Sequence, residues 1–511
     1  MSWTCPRRLS FPEWKGSVIT NAEIMRRYKK VTLPWQEGRA AAPKKRILLV
    51  SPRYNTHIVA PHLGLGYLAA SVRRAGHEVV VMDGLREEVK YDGQYDLVGI
   101  SAMTTYFPEA VWETKRAKEK GFPVIIGGPH VIADPVSSLQ QSGADFACDG
   151  EGEIALASLL NGESCDQIPG LVWREGSEIR RSQAAVFYPD IDDFGEPAWD
   201  LIDPRTYPPA PHGMIARDFP LAPIITTRGC PYKCSYCSAP ITAGKKMRYR
   251  DPKKVVDEIE RLVNEYGVKE IQIEDDNFTM KREHVLAMCN ELLERKIKVL
   301  WSLPNGVRID RLDKEMLREM KRAGCYLMAL GIESANERIL DMVSKHLKPS
   351  MVRGVVNDVV EAGIEAWGFF MIGFPTETRA EIDNTVEFAL SLPLSRLQFT
   401  KTTPLPGTPI YDWWREKIGG GQEIDWSKFN YYEFDADWSE VSAAEIGKIQ
   451  RRAHFAFYSR PRNFLKVARS LRLSQYRYAL KRLTNLGTFR SHNMPTLSTP
   501  AGAYSGSPPS A

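Results

Sequence analysis

The sequence predicts an α/β protein: a doubly wound domain, then a partial (β/α)6 barrel of the TIM type, then a helical C-terminal region. Three observations predict it. Short apolar runs alternate with helix-period segments from Lys45 to Asn161, the pattern of a parallel sheet with right-handed crossovers. The alternation resumes on a longer period from Pro223, in six strand–helix units. Beyond Ala443 the pattern turns helical and basic.

In the first domain the strands are Arg46–Val50, Glu78–Met82, Leu97–Ser101, Pro123–Ile126 and a short one from Phe146. Helices fall at Leu63–Ala75, Pro108–Lys120 and Glu153–Leu160. In the second domain the strands are Ile224–Thr227, Glu270–Glu274, Lys298–Leu303, Leu327–Ile332, Ala366–Ile372 and Arg396–Thr400. Pro252–Tyr266 is the clearest helix, with Val255, Val256, Ile259, Leu262 and Val263 on one face. Catalytic groups of such a barrel belong at the carboxyl ends of its strands.

The chain therefore divides into an N-terminal extension (1–44), the first domain (45–165), a Pro-, Asp- and Trp-rich linker (166–219), the barrel (220–425), a helical region (426–490) and a disordered tail (491–511). Ala443–Leu486 reads as helix. Within it, residues 460–486 are basic and amphipathic, which allows contact with a membrane surface as well as packing on the barrel.

Composition excludes several classes. The net charge of +5, on 68 basic and 63 acidic groups, is too small to imply nucleic acid. Five of the eight cysteines are scattered, which does not suit a secreted disulfide scaffold. No apolar run is long enough to span a bilayer, and no signal-type segment opens the chain, so the cytoplasm is expected.

The other three cysteines carry the chemistry. Thr226-Thr227-Arg228-Gly229-Cys230-Pro231-Tyr232-Lys233-Cys234-Ser235-Tyr236-Cys237 follows a predicted strand with C-x3-C-x2-C spacing. Three thiolates on one compact loop can hold three irons of a 4Fe–4S cluster, leaving the fourth iron open to chelate a substrate. A zinc site is the competing reading, but no fourth ligand lies nearby in sequence.

This motif strongly resembles that of the radical S-adenosylmethionine (radical SAM) enzymes. The resemblance implies that the open iron binds SAM and that the reduced cluster cleaves it to a radical which abstracts hydrogen from substrate. It places Tyr236 near the adenine. It makes Asp275 or Asp276 a contact of the SAM amino group, and Glu333 with Ser334 a contact of its ribose or carboxylate. It puts Gly373 in the adenine-side turn Ile372–Glu377. Helix capping by Asp276 or Asn277 is the plain alternative at the second strand. Asn305–Arg308 also looks family-like, with Arg308 expected either to pair with a carboxylate in that role or to form a plain salt bridge, and Pro404–Pro409 resembles the stretch that follows the sixth strand.

The first domain is similar to the cobalamin-binding domain of one radical SAM subclass. The matching stretches are Leu63–Ala69, Gly76–Val79, Val98–Ser101, Gly127–His130 and Asp149–Glu153. Ser101, Gly127 and Gly128 then face the dimethylbenzimidazole tail. The Asp-x-His-x-x-Gly loop of cobalt-ligating relatives is incomplete at Asn55–Ala60, so no protein histidine is expected on cobalt, and His57, His62 and His130 read as structural.

The implied activity is methylation of an unactivated carbon or phosphorus centre in a small-molecule or lipid intermediate, with two SAM per turnover. A flavodoxin- or ferredoxin-type donor, a monomeric state and no nucleic-acid partner are expected. A non-methylating cyclase or ring-rearranging enzyme is the first alternative. A cobalamin or iron–sulfur sensor without turnover is the second.

Overall fold

The computed structural model describes residues 27–36, 43–54, 59–208, 216–417, 424–431 and 433–470. The expected tail at 491–511, His57 and the end of the basic helical stretch lie outside them.

The first sheet has seven strands in the order β2-β1-β3-β4-β5-β6-β7. They are β1 (Arg46–Ser51), β2 (Glu78–Asp83), β3 (Leu97–Ser101), β4 (Val124–Gly127), β5 (Phe146–Cys148), β6 (Leu171–Glu175) and β7 (Glu178–Arg181). The first five are parallel, and β1 lies between β2 and β3. The order therefore reverses at β1/β3, where a doubly wound sheet opens a crevice at its carboxyl ends.

Strands β6 and β7 correct the linker expected at 166–219. They form an antiparallel hairpin that pairs with β5, Phe146 opposite Trp173. Their signal was the Gly176-Ser177 turn, with Gly176 at φ +62°. The rest of that segment is also packed. Phe187, Tyr188, Ile191, Phe194, Trp199 and Ile202 are buried, and the Trp199 indole donates to Glu258 of the barrel at 2.9 Å. Two helices not expected, Pro129–Ala133 and Pro135–Ser142, fill the β4–β5 crossover.

The second sheet is all parallel, in the order β15-β14-β13-β12-β11-β8. It comprises β8 (Leu221–Ile224), β11 (Glu270–Ile273), β12 (Leu300–Val307), β13 (Cys325–Glu333), β14 (Glu365–Ile372) and β15 (Arg396–Lys401). All nine residues of β13 are buried, as a strand covered on both faces requires. The flanking helices are capped by their own sequence. Asp251 accepts from the Lys253 amide and Gly267 closes the same helix at φ +64°. Thr378 and Glu381 form a reciprocal capping box.

The expected strand Ile224–Thr227 ends early. Asp275 takes the Thr226 amide and hydroxyl, drawing the chain out of the ladder. Thr227–Arg228 (β9) instead pairs antiparallel with Arg248–Tyr249 (β10).

The open edge of the partial barrel is covered by the helix Ala443–Tyr458. Tyr458 serves Leu397, while Gln450 and His454 serve Phe399. Four helical residues rise about 6 Å and two strand residues about 6.6 Å, so His454 and Tyr458 fall opposite Phe399 and Leu397, while Gln450 shares Phe399 with His454. Lys401, two residues further along β15, donates to the Tyr431 carbonyl at 2.9 Å. The helix expected over Ala443–Leu486 breaks at Pro461, where a second helix, Pro461–Ser470, begins.

Candidate functional site

The cysteine loop is closed at its base by the β9–β10 ribbon. Gly229 sits at φ +102°, and a Cβ there would lie 2.4 Å from the Lys246 carbonyl, so only glycine turns here. The loop is held along its length. Cys230 N donates to Gly244 O at 3.0 Å, and Ser235 N donates to Val343 O at 2.9 Å. The Arg308 guanidinium lies 3.7 Å over the Tyr232 ring, and Arg311 donates to its hydroxyl. Arg308 also pairs with Asp310.

Cys230, Cys234 and Cys237 are free and share one loop. Burial pushes the Cys237 thiol up to about 12, and the other two cysteines and Asp276 add to it. Three thiols on one loop suit a cluster that leaves one iron open. Asn277 points its amide nitrogen at Cys230 Sγ, 3.9 Å away. Its carbonyl oxygen and the Ser235 hydroxyl are buried without a partner among the described residues. These features fit a bound cluster.

The two acids after β11 separate. Asp275 is buried and consumed by Thr226 and Thr227, so it ties β11 to the start of the cysteine loop. Asp276 is exposed. Its carboxyl is nonetheless pushed up to about 6, first by desolvation and then by Asp275. Exposure with desolvation describes a side chain lining a recess rather than facing bulk water. Neither Asp276 nor Asn277 caps a helix: the turn at Phe278–Met280 has no side-chain cap.

Glu333, at φ +67°, ends β13 and binds Lys345 Nζ at 3.0 Å, both buried. Burial alone would pull the Lys345 ammonium down, but Glu333 and Cys234 outweigh it. A Cβ on Gly331 would sit 2.9 Å from Glu333 and 3.0 Å from Lys345, so that glycine makes room for the pair. Ser334 does not join them: its hydroxyl lies among Thr385 and Asn336. Tyr236 packs edge-on against Phe374, 6.1 Å between centroids, and feels Glu333.

Gly373 at φ +78° is a turn residue. Its amide and that of Phe374 donate to Glu377 Oε2 at 2.7 and 3.0 Å. Glu377 is buried, and desolvation lifts its carboxyl from 4.5 to about 8. The folded state thus holds a proton that the unfolded state releases between these values. This contribution to stability is present below pH 4.5 and is lost as pH rises through about 8. Glu377→Gln should flatten that part of the pH–stability curve, measured by urea unfolding of the apoprotein from pH 5 to 9. A wild-type stability that rises over this range would contradict the reading.

On the first domain, Ser101 Oγ lies 3.2 Å from His62 Nε2, while His62 Nδ1 accepts from Leu65 N as a helix cap. Gly128, at φ +109°, lets β4 approach Ala102, whose carbonyl would be 2.6 Å from a Cβ. A Cβ on Gly127 meets nothing nearer than 3.7 Å, so packing does not demand this glycine and the strand end stays open. Met103, just past β3, is 42% exposed beside the same crevice. These features fit a bulky ligand at the β1/β3 switch point. His130 is structural: it stacks on Phe107 at 4.0 Å, and burial lowers its imidazole to about 4.

Lys345, paired with Glu333, was missed from sequence, and so were two further elements. Arg228 and Arg248 face each other across the β9–β10 ribbon, where like charges repel. Glu151, at the end of the first sheet, bridges them at 3.0 and 2.7 Å, and Glu153 takes Arg228 at 2.8 Å. All four side chains are nearly inaccessible. Burial acts to raise the Glu151 carboxyl, but the two guanidiniums hold it below its ordinary value. The pattern Asp149–Glu153 and the Arg beside Cys230 were visible; their pairing was not.

The second is Tyr431. Its neighbours Trp426, Phe429 and Phe434 are buried against the first domain, yet Tyr431 is 42% exposed. Its phenol is pushed up to about 12 by desolvation and then by Cys237 and Glu333. Tyr431 therefore projects into the recess beside the cysteine loop.

Comparison with known proteins bears on both domains. Residues 224–389 match the family model of the Radical SAM superfamily, and residues 55–160 match that of the B12 binding domain. The chain is 30% identical to an uncharacterised methyltransferase of Pyrococcus horikoshii, over 82% of this chain and 94% of that protein. It is 28% identical to the anaerobic magnesium-protoporphyrin IX monomethyl ester cyclase of Cereibacter sphaeroides, over 76% of this chain and 66% of that one. The radical S-adenosylmethionine methyltransferase TsrM of Kitasatospora setae, solved with cobalamin and a [4Fe-4S] cluster, shares the fold. Its TM-score is 0.63 at 20% identity, covering 75% of this chain and 80% of that one.

Proposed function

The chain belongs to the radical SAM superfamily, in the branch that carries a B12-binding domain ahead of the barrel, and from that membership we propose that it methylates a poorly reactive carbon of a small molecule. When bound, the cluster supplies the electron that cleaves SAM and cobalamin carries the methyl group. Cys230, Cys234 and Cys237 hold the cluster. Charges of both signs flank them: Asp276 lines the recess and Lys345 stands behind Glu333. A zwitterionic methionine moiety needs this combination, Asp276 or Glu333 for its ammonium and Lys345 for its carboxylate. Tyr236 and Phe374 form the aromatic wall for the adenine. In the first domain Ser101, Gly127 and Gly128 border the cobalamin tail, and the three described histidines there, His62, His77 and His130, are all engaged within the domain. A flavodoxin- or ferredoxin-type protein reduces the cluster of a monomeric, cytoplasmic enzyme.

The observation that carries the reading is the placement of the cysteine triad beside the paired Glu333 and Lys345, clamped to a cobalamin-type sheet. Tyr431 takes the substrate side. Tyr431→Phe should lower methylated product about tenfold, the worth of one hydrogen bond in a dry site, while 5′-deoxyadenosine formation changes little. A parallel fall in both would remove Tyr431 from the substrate side. Since a 28% identical relative is named a cyclase, the deciding assay is transfer from SAM bearing a deuterated methyl. Label in the product supports methylation. Release of 5′-deoxyadenosine with unlabelled product supports a non-methylating oxidation.

A further inference from the structure

The positive charge of the chain is concentrated at one end. From residue 446 to 511 there are twelve Lys and Arg and no Asp or Glu. The preceding 445 residues keep 56 of the 68 basic groups against all 63 acids, a net of −7. The described start of this basic stretch is two helices, Ala443–Tyr458 and Pro461–Ser470.

The first of them is fixed in orientation. Ile446, Ile449, Gln450, Ala453 and Phe457 are buried, and Gln450, His454 and Tyr458 hold the edge strand β15. The opposite stripe Lys448, Arg451, Arg452, Phe455 and Ser459 is exposed at helical spacing. Phe455 is 76% exposed. On the second helix Arg462, Phe464 and Leu465 are exposed, Phe464 at 55% and Leu465 at 50%. Three of the five large apolar side chains that stand exposed among the described residues thus fall within eleven residues, interleaved with arginine.

We propose that this face docks on the surface of an anionic lipid bilayer. Charge complementarity selects an anionic partner, and the apolar groups select among anions. A nucleic-acid backbone takes up guanidinium groups but offers phenylalanine and leucine side chains no acyl layer. A bilayer surface takes both, phosphates meeting the arginines and the acyl boundary receiving Phe455, Phe464 and Leu465. No described helix is long and apolar enough to cross a membrane, so the contact is interfacial. It is independent of the reaction proposed above, because none of these residues lines the recess.

The test is co-sedimentation of the full-length, cluster-loaded protein with two kinds of vesicle. One is phosphatidylcholine alone; the other contains equal parts of phosphatidylcholine and phosphatidylglycerol. Binding to the anionic vesicles should be at least about tenfold tighter and should weaken as salt screens the charges. Phe455→Ser with Phe464→Ser, and separately Arg452→Glu with Arg462→Glu, should each reduce it about tenfold while 5′-deoxyadenosine formation in solution is retained. Equal binding to both vesicles would overturn the proposal. So would variants that bind as wild type does, or tight binding to an RNA hairpin with none to vesicles.

Discussion

Cys234→Ala should abolish reductive cleavage of SAM, lowering 5′-deoxyadenosine formation by about 10³-fold or more, at least about 4 kcal/mol of activation free energy. The loss should be chemical rather than structural. The loop is anchored by Ser235 to Val343, by Cys230 to Gly244 and by the two arginines on Tyr232, none of which uses the Cys234 thiol. Apoprotein unfolding should therefore stay within about 1 kcal/mol of wild type, while bound iron falls. Cys289→Ala supplies the contrast. That thiol is fully buried in the core of the barrel, so its loss should cost about 1–3 kcal/mol of stability and leave iron content and SAM cleavage in place. If the two variants lost iron equally, the assignment of the triad would fail.

Glu151→Ala should produce the second large effect, and of a different kind. It removes the charge that separates Arg228 from Arg248 and leaves both guanidiniums buried beside each other. Breaking a buried ion network in this way costs about 3–5 kcal/mol, readable by urea unfolding. Arg228 stands two residues before Cys230, and Glu151 belongs to the cobalamin-type domain, so the clamp also fixes one cofactor site relative to the other. A displacement of about 1 Å between reacting groups can cost about 10²-fold in rate. Methylated product should therefore fall far more than 5′-deoxyadenosine, raising the ratio of the two. Glu151→Gln keeps the shape and one acceptor oxygen, so only one of the two guanidiniums retains its acceptor while the other faces the amide NH2, and it should recover a small part of the stability. An unchanged product ratio in both variants would reduce the clamp to a purely structural role.

Much of this was readable in the sequence where the signal was contiguous. The triad, its glycine and the strand before it sit within seventeen residues, Leu221 to Cys237, and the two parallel sheets announce themselves by period. What escaped depended on distance. Asp275 and Asp276 are neighbours in sequence, and only Thr226 and Thr227, some 50 residues earlier, decide which of them is consumed. Ser334 adjoins Glu333 yet turns to Thr385, because the chain leaves the strand at Glu333 with positive φ. Lys345 and Tyr431 reach the site from separate loops, one pairing with Glu333 and the other held by β15. The hairpin β6–β7 was hidden because the apolar run of β6 is only Leu171–Trp173 and β7 is polar and largely exposed. His57 falls outside the described residues, so the expectation about its loop rests on sequence alone.

The central claim is that the Cys230–Cys237 loop supports radical cleavage of SAM coupled to methyl transfer. The most direct test reconstitutes the protein anaerobically with iron, sulfide and cobalamin, reduces it, and supplies SAM with a deuterated methyl group together with an extract of low-molecular-weight metabolites. The account predicts 5′-deoxyadenosine and a metabolite carrying the intact deuterated methyl, both lost in Cys234→Ala. Absence of 5′-deoxyadenosine from reduced protein with full iron content would contradict it.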